Sequence, residues 1–212
     1  MQGRQSLTEL AFESLRETVV GTKDLEESVE IVVFGSVAAG LERPDSDIDI
    51  FCVSKREFKL KTDRLDLIVM PVEATRVSLW LQSELACHIA EYGTWIKGPS
   101  RWRTEAQIGH KAIDAKCRRI GAFLRALPDS WTTLDEGFRV KYSVKLRRET
   151  QRLLLMERGT PVPPTRILDS CWGSMARTPY ELHDRLRRLT VCCHGVFTRD
   201  LFARIDAAFP TG

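Results

Sequence analysis

The sequence predicts an α+β fold, in which a small mixed β-sheet with flanking helices is followed by a C-terminal helical bundle. Three short apolar runs rich in β-branched residues lie between residues 29 and 72, and such runs are typical of buried strands. Beyond the Gly98-Pro99 pair, segments with apolar residues at i, i+3 and i+4 replace them. This change of pattern at a turn signal predicts two domains, residues 1–99 and 100–212.

The elements of the first domain begin with a helix and a strand. Ser6 and Glu9 form a capping-box pattern ahead of apolar residues at helical spacing, so residues 7–20 are expected to be helical. The apolar run Val29–Phe34 predicts the first strand. The small residues VAAG that follow it suffice for a short helical turn.

Two further strands are expected in the first domain. After a loop, Ile48, Ile50 and Val53 alternate with less apolar residues, which predicts the second strand. The segment RLDLIVMPV, residues 64–72, predicts a third strand that Pro71 ends. The charged segment KREFKLKTDR between them is interpreted as a connection, and LWLQSELACHIAEYGTWI, residues 79–96, as a helix.

The second domain is expected to be helical throughout. Helical periodicity covers residues 110–127, 136–159 and 181–209. Gly159 lies where a helix C-cap is expected, and the TPVPP segment after it ends the second helix.

Composition indicates a soluble cytoplasmic protein with no membrane association. No stretch approaches the roughly 18 to 20 consecutive apolar residues that a membrane span needs. The six cysteines form no C-x-x-C pair, and a chain of 212 residues can form a core without disulfides, so reduced cysteines and no structural zinc are expected.

Charge is distributed unevenly along the chain. Residues 1–100 hold 11 Lys and Arg against 17 Asp and Glu, whereas residues 101–212 hold 21 against 12. The second part, with a net charge of +9, could face an anionic partner or could simply be a solvated helical surface.

Carboxylates alternate at the start of the second strand. Asp47 and Asp49 point to the same face of an extended chain, with α-carbons about 7 Å apart. Two carboxylates on one face repel each other unless they are protonated or bridged by cations. Oxygen-only ligands suit Mg²⁺ or Mn²⁺. The structural alternative, in which these acids form a solvated strand edge, is retained only for Asp45, a turn residue.

A glycine and a serine stand at the end of the first strand. Gly35 would let backbone N–H groups approach an anion, and the Ser36 hydroxyl can donate a further hydrogen bond. A phosphate-binding turn beside metal-binding acids would form the two halves of a nucleoside triphosphate site.

The pattern resembles the signature of the DNA polymerase β-like nucleotidyltransferase superfamily. The resemblance rests on Gly35-Ser36, followed after ten residues by Asp47-Ile48-Asp49-Ile50. Gly40 and the segment Ser46–Asp49 resemble the minimal nucleotidyltransferases and the aminoglycoside nucleotidyltransferases. This resemblance covers residues 30–97.

The resemblance implies the roles of the site residues. Asp47 and Asp49 would hold two Mg²⁺ or Mn²⁺ ions, and a third acid on a neighbouring strand would complete the site. Asp66 fits this position better than Asp63, which lies in the charged connection. Ser36 would bind the terminal phosphates of a nucleoside triphosphate such as ATP, and an acceptor hydroxyl would attack the α-phosphorus with release of pyrophosphate.

Residues 138–159 resemble the helical domains of kanamycin nucleotidyltransferase and of HEPN proteins. Lys141 and Lys145 lie one helical turn apart and could reach a triphosphate, or could be ordinary surface lysines. Glu149 is spaced to pair with Lys145, although related aminoglycoside enzymes have a catalytic acid in this domain.

The basic second half favours an anionic acceptor such as RNA, for example a tRNA end, over a polycationic aminoglycoside. A protein acceptor, an antitoxin partner and a homo-oligomer are further expectations from the toxin-like relatives. The alternatives are antibiotic nucleotidylation, an inactive antitoxin-like binding module and an HEPN-type ribonuclease. The last would use one of two Arg-x5-His pairs, Arg177 with His183 or Arg188 with His194.

Overall fold

The computed structural model of the protein describes residue 13 and residues 27–98, 101–130 and 133–170. The chain forms two compact units. The first runs up to Gln107 and includes Pro163–Ile167, and the second comprises Ile108–Val162 and the residues from Leu168 onward. The division into domains 1–99 and 100–212 stays a prediction.

A five-stranded mixed sheet forms the first unit, with the strand order β3-β4-β2-β1-β5. Strands β2 and β4 are parallel, and the other three neighbouring pairs are antiparallel. The predicted α+β fold with a mixed sheet is therefore confirmed. The strands are β1 (Glu30–Phe34), β2 (Ile48–Ser54), β3 (Phe58–Lys61), β4 (Leu65–Pro71) and β5 (Thr94–Lys97).

The sheet is buried on both faces, as the apolar runs predict. Every residue of β1 is buried. One face of the sheet packs around Ile31, Ile50 and Leu67, together with Val37 of the one-turn helix α1 (Gly35–Ala38). On the other face, three strand residues, Val32, Phe51 and Ile68, pack with three residues from outside the strands, Trp80, Ile89 and Trp102.

Two of the five strands are not predicted by the sequence pattern. Strand β3 lies inside the charged segment interpreted above as a connection. Its two exposed lysines alternate with half-buried Phe58 and Leu60, which is the pattern of a strand with one face toward the core. A strand of only four residues shows too little alternation to stand out among charges.

Strand β5 ends the segment 79–96, for which the prediction of one helix is wrong. The structure has α2 (Ser78–Leu81), α3 (Glu84–Tyr92) and then β5. Helix α3 begins where the Ser83 hydroxyl accepts a hydrogen bond from the Ala86 N–H at 3.0 Å. It ends at Gly93, whose backbone is extended.

Helices form the described part of the second unit. They are α4 (His110–Ser130) and α5 (Glu136–Glu157). The short α6 (Thr165–Ser170), which is not predicted by the sequence, begins in residues of the first unit and ends in residues of the second. Asp135 caps α5, because its side chain accepts a hydrogen bond from the Phe138 N–H at 2.9 Å. The helices predicted over residues 7–20 and 181–209 lie outside the described residues, except that Glu13 is helical.

Among the described cysteines, Cys117 departs from the expected reduced state. Cys52 and Cys87 are reduced, as predicted, but Cys117 is disulfide-bonded. Among the described residues, no helix is both long enough and apolar enough to cross a membrane.

Candidate metal and nucleotide site

The strand register brings three acids to one end of the sheet. Strands β2 and β4 run parallel, and Asp49 is the direct neighbour of Asp66 in their register. On its other side Asp49 pairs with Phe34, the last residue of β1. The carboxylates therefore meet where β2 and β4 begin and where β1 ends.

Asp47, Asp49 and Asp66 form a carboxylate cluster, which we call the aspartate triad. Each residue offers one oxygen, and these oxygens all lie within 4.8 Å of one another. All three residues are half-buried, whereas Asp63 is exposed in the bend before β4. The structure thus brings together the three acids that the sequence pattern singles out, with Asp66 as the third.

The triad is electrostatically strained without a cation. The pKa of Asp49 is raised to about 7, first by burial and then by the neighbouring charges of Asp47 and Asp66, while Lys61 opposes the rise. A carboxylate resists ionisation when it is desolvated and faces like charges. The cluster therefore has a strong demand for positive charge.

Lys61 supplies part of that charge. Its Nζ atom lies 2.6 Å from Asp66 Oδ2 and 3.5 Å from Asp47 Oδ2. The hydrogen bond with Asp66 raises the pKa of Lys61. Sequence reasoning missed this residue, because its position opposite Asp66 depends on the β3–β4 register and the charges around β3 are typical of a connection.

Gly35 makes room for the Asp49 carboxylate. Its φ of +73° lies in the left-handed region, which disfavours side chains. A β-carbon at this position would also lie well under 3.0 Å from Asp49 Oδ2. The carboxylate thus packs directly against bare backbone at the end of β1, and both conditions require glycine.

Ser36 follows Gly35 within α1 and is half-buried. Its backbone carbonyl accepts a hydrogen bond from the Leu41 N–H at 2.9 Å, which helps to close the turn after β1. Because Gly35 touches Asp49, the serine lies one residue from the triad. Its predicted role toward phosphate stays a prediction.

Lys141 and Lys145 belong to α5 of the second unit. The Lys141 Nζ lies 5.8 Å from the ring centroid of Phe138, and the Lys145 Nζ lies 5.0 Å from that of Phe123. Both contacts are within the range of cation–π attraction. Their predicted role toward a nucleotide stays a prediction.

Glu149 has partners other than the one suggested by its spacing from Lys145. Its Oε2 accepts a hydrogen bond from Lys116 Nζ at 2.8 Å, and both side chains are almost fully buried. Arg152 and Arg119 lie 3.5 and 3.8 Å away. These contacts describe a buried charge cluster within the second unit.

The aspartate triad fits a divalent cation. Three carboxylate oxygens at such separations provide the hard ligands that Mg²⁺ and Mn²⁺ prefer. The three oxygens lie close together. The cation that now pairs with two of the carboxylates is the exposed Lys61, whose side chain can turn away. With Lys61 turned away, these three oxygens could hold an ion.

Comparison with protein families identifies the segment that contains this site. Residues 15–91 match the nucleotidyltransferase domain family. Residues 15–91 are therefore similar to a nucleotidyltransferase domain. The matched segment includes Gly35, Ser36 and the whole triad, as the resemblance seen in the sequence implied. It ends before the second unit, so the likeness of residues 138–159 to HEPN and kanamycin nucleotidyltransferase domains stays a prediction.

Two solved structures show distant similarity to the chain. One is a toxin-antitoxin complex with AMP-PNP, with 18% identity over 60% of this chain and 99% of that chain, and a TM-score of 0.30. The other is a nucleotidyltransferase-like protein from Exiguobacterium sibiricum, with 14% identity over 93% of this chain and 71% of that chain, and a TM-score of 0.39. No curated protein sequence matches the chain significantly.

Proposed function

We propose that the protein is a divalent-metal-dependent nucleotidyltransferase that transfers a nucleoside monophosphate from a nucleoside triphosphate to an acceptor hydroxyl. The observation that supports this proposal is the convergence of three carboxylates in a segment that matches the nucleotidyltransferase domain family. In the reaction, the acceptor oxygen forms a bond to the α-phosphorus. The bond between that phosphorus and the bridging oxygen breaks, and pyrophosphate leaves with the electron pair.

The three aspartates would have different roles at the metal site. Asp47 and Asp49 would hold the ions, and Asp66 would hold the one nearer the attacking oxygen and is the candidate base for the acceptor proton. Bound Mg²⁺ neutralises phosphate charge and makes an attached hydroxyl more acidic. Ser36 would donate a hydrogen bond to the terminal phosphates, with Lys141 and Lys145 as further candidate phosphate ligands.

The favoured acceptor is a macromolecule, RNA such as a tRNA end or a protein, as in toxin-like nucleotidyltransferases. Residues 101–212 carry a net charge of +9. This charge attracts a polyanion and disfavours a polycationic aminoglycoside. An antitoxin partner, self-association and a cytoplasmic location belong to the same proposal.

Label transfer tests the reaction and the acceptor together. The protein is incubated with Mg²⁺ and each nucleoside triphosphate labelled at the α-phosphate, against tRNA, cell protein and an aminoglycoside panel. We expect label on RNA or protein. Label on an aminoglycoside would replace the proposed acceptor, and no transfer to any acceptor would favour a binding module. RNA cleavage without a triphosphate, dependent on His183 or His194, would favour a ribonuclease.

A matched pair of variants ties activity to the triad. Removal of outer-shell partners of a metal ligand typically costs about 10- to 100-fold, so Asp49→Asn, which changes a ligand, should lower pyrophosphate release by at least about 100-fold. Asp63→Asn removes the same charge from the exposed bend before β4 and should retain activity. Full activity in Asp49→Asn would contradict the assignment.

A further inference from the structure

We propose that Lys61 is a built-in counter-ion of the aspartate triad, which occupies the gap between Asp47 and Asp66 until a divalent metal displaces it. The inference rests on the proposed function, because it concerns the same metal site. Its basis is the pair of contacts from Lys61 Nζ, to Asp66 Oδ2 at 2.6 Å and to Asp47 Oδ2 at 3.5 Å.

The fold aims Lys61 at the triad. Lys61 is the last residue of β3 and stands opposite Asp66 in the antiparallel β3–β4 register. The two acids that it contacts come from different parts of the chain, Asp66 from β4 and Asp47 from the residue before β2. A single ammonium group therefore bridges the same two segments that a metal ion would join.

The triad needs such a cation when no metal is bound. Its three oxygens lie within 4.8 Å of one another, a separation at which ionised carboxylates repel strongly. One ammonium group offsets only one of up to three negative charges. The arrangement with lysine is therefore tolerable, but a divalent ion compensates the cluster better.

Lys61 is also suited to being displaced. Its side chain is 66% exposed, and exposed ion pairs contribute little to stability. A lysine ammonium sits on a flexible four-carbon stem and is strongly hydrated, so it can turn into solvent without breaking the β3 backbone pairing. Entry of a metal would therefore exchange one cation for another without remodelling the sheet.

The consequence is that Lys61 lowers the apparent affinity for metal. Every binding event must first release the ammonium from two carboxylates, and every loss of metal lets it return. Lys61 would thus reduce the repulsion among the three carboxylates when no metal is bound. It would also raise the metal concentration at which the site fills.

Metal binding without nucleotide tests the inference. Mn²⁺ binding is followed by the loss of the free-ion electron paramagnetic resonance signal, and Mg²⁺ by competition. Because exposed ion pairs are weak, we expect Lys61→Met to bind Mn²⁺ about two- to fivefold more tightly than the unchanged protein. Lys59→Met is the matched control, because Lys59 is the other exposed lysine of β3 and faces Ile68 in the register. It should change the affinity less than about twofold.

The outcomes separate the inference from the proposed function. Unchanged or weaker Mn²⁺ binding in Lys61→Met overturns the counter-ion role, and so does an equal gain in Lys59→Met. If Asp49→Asn abolishes binding in either background, the metal site stands whatever Lys61 does. If neither the unchanged protein nor Lys61→Met binds Mn²⁺, the inference and the proposed function fail together. Circular dichroism confirms that both lysine variants are folded.

Discussion

The Oδ2 atom of Asp49 occupies the space into which a β-carbon on residue 35 would project. Gly35 directly follows the first strand, and Asp49 is the residue opposite the end of that strand in the neighbouring one. The glycine of the sequence pattern therefore does more than permit a turn. It provides a bare backbone surface against which the second aspartate of the triad rests.

Substitution of Gly35 should therefore damage the triad. In Gly35→Ala the new methyl group would meet the Asp49 carboxylate, so the carboxylate or the turn must move. We expect Mn²⁺ binding and nucleotidyl transfer to fall at least about tenfold, since a small displacement of catalytic groups can cost about 100-fold. Mn²⁺ titration and label transfer measure these effects.

Gly40→Ala is the matched control for this prediction. Gly40 also has a positive φ, +65°, but among the described residues other than its chain neighbours no atom lies within 4 Å of the position that a β-carbon on this residue would occupy. The variant should lose about 1 kcal/mol of unfolding free energy for the left-handed backbone and keep its metal affinity. Equal losses of metal affinity in the two variants would show that backbone conformation alone matters.

Asp49 should also make the stability of the metal-free protein depend on pH. Its pKa is raised to about 7 by burial and then by Asp47 and Asp66, whereas an aspartate in an unfolded chain titrates near 3.9. Between these values the folded chain retains a proton that the unfolded chain has lost. The free energy of unfolding must therefore fall as the pH rises from about 4 to about 7.

Asp49→Asn should remove this part of the pH dependence. In the presence of EDTA, the variant should match the unchanged protein near pH 4 and be more stable at pH 8. Because one pKa unit corresponds to about 1.4 kcal/mol, a difference of at least about 1 kcal/mol is expected. Urea unfolding at several pH values measures it, with Asp63→Asn as the charge control. Parallel curves at all pH values would contradict the raised pKa.

Much of this site could be predicted from sequence because local residue patterns indicate the strands that form it. The run Val29–Phe34 and the alternation after Asp47 predict two strands, and Asp66 interrupts a third apolar run. An acid within an otherwise buried strand has few roles other than a site. The parallel pairing that makes Asp66 the neighbour of Asp49 was implied only by the resemblance to a known family.

Lys61 could not be predicted in the same way. Its role depends on the pairing of β3 with β4, and a four-residue strand rich in lysine has the composition of a loop. The same limit applies to β5, because the apolar pattern that fits a helix up to Tyr92 resumes after Gly93 in Thr94–Lys97. Pairing partners distant in the chain decide both cases, and local patterns do not contain them.

The buried pair of Lys116 and Glu149 should contribute strongly to the stability of the second unit. Lys116 Nζ lies 2.8 Å from Glu149 Oε2, and each side chain is only 5% exposed. Burial opposes ionisation of Glu149, but the hydrogen bond from Lys116 and the surrounding positive charges together outweigh it, so the pKa of Glu149 is lowered. Lys116→Met leaves this carboxylate buried without its nearest cation. A loss of about 3 kcal/mol of unfolding free energy is expected, measured by urea denaturation.

Two further variants show whether the loss of unfolding free energy comes from the Lys116–Glu149 pair or from any substitution near it. Arg119→Met removes a more distant cation, 3.8 Å from Glu149 on a side chain that is 55% exposed, and should cost less than about 1 kcal/mol. The double replacement Lys116→Met with Glu149→Leu should recover most of the loss, because no uncompensated charge remains. A double variant as unstable as Lys116→Met would assign the loss to packing.

The hydrogen bond between Trp102 and Glu30 should stabilise the first unit. Trp102 Nε1 donates to Glu30 Oε2 at 3.0 Å, and both residues are buried. Burial raises the pKa of Glu30, and the Trp102 hydrogen bond opposes the rise. Trp102→Phe keeps an aromatic ring but removes the donor, so about 1–3 kcal/mol of unfolding free energy should be lost.

Trp80→Phe is the control, because Trp80 packs against Trp102 and its buried Nε1 has no hydrogen-bond partner among the described residues. Both variants lose comparable ring area, so equal losses in urea unfolding would show that the Glu30 hydrogen bond contributes nothing beyond packing.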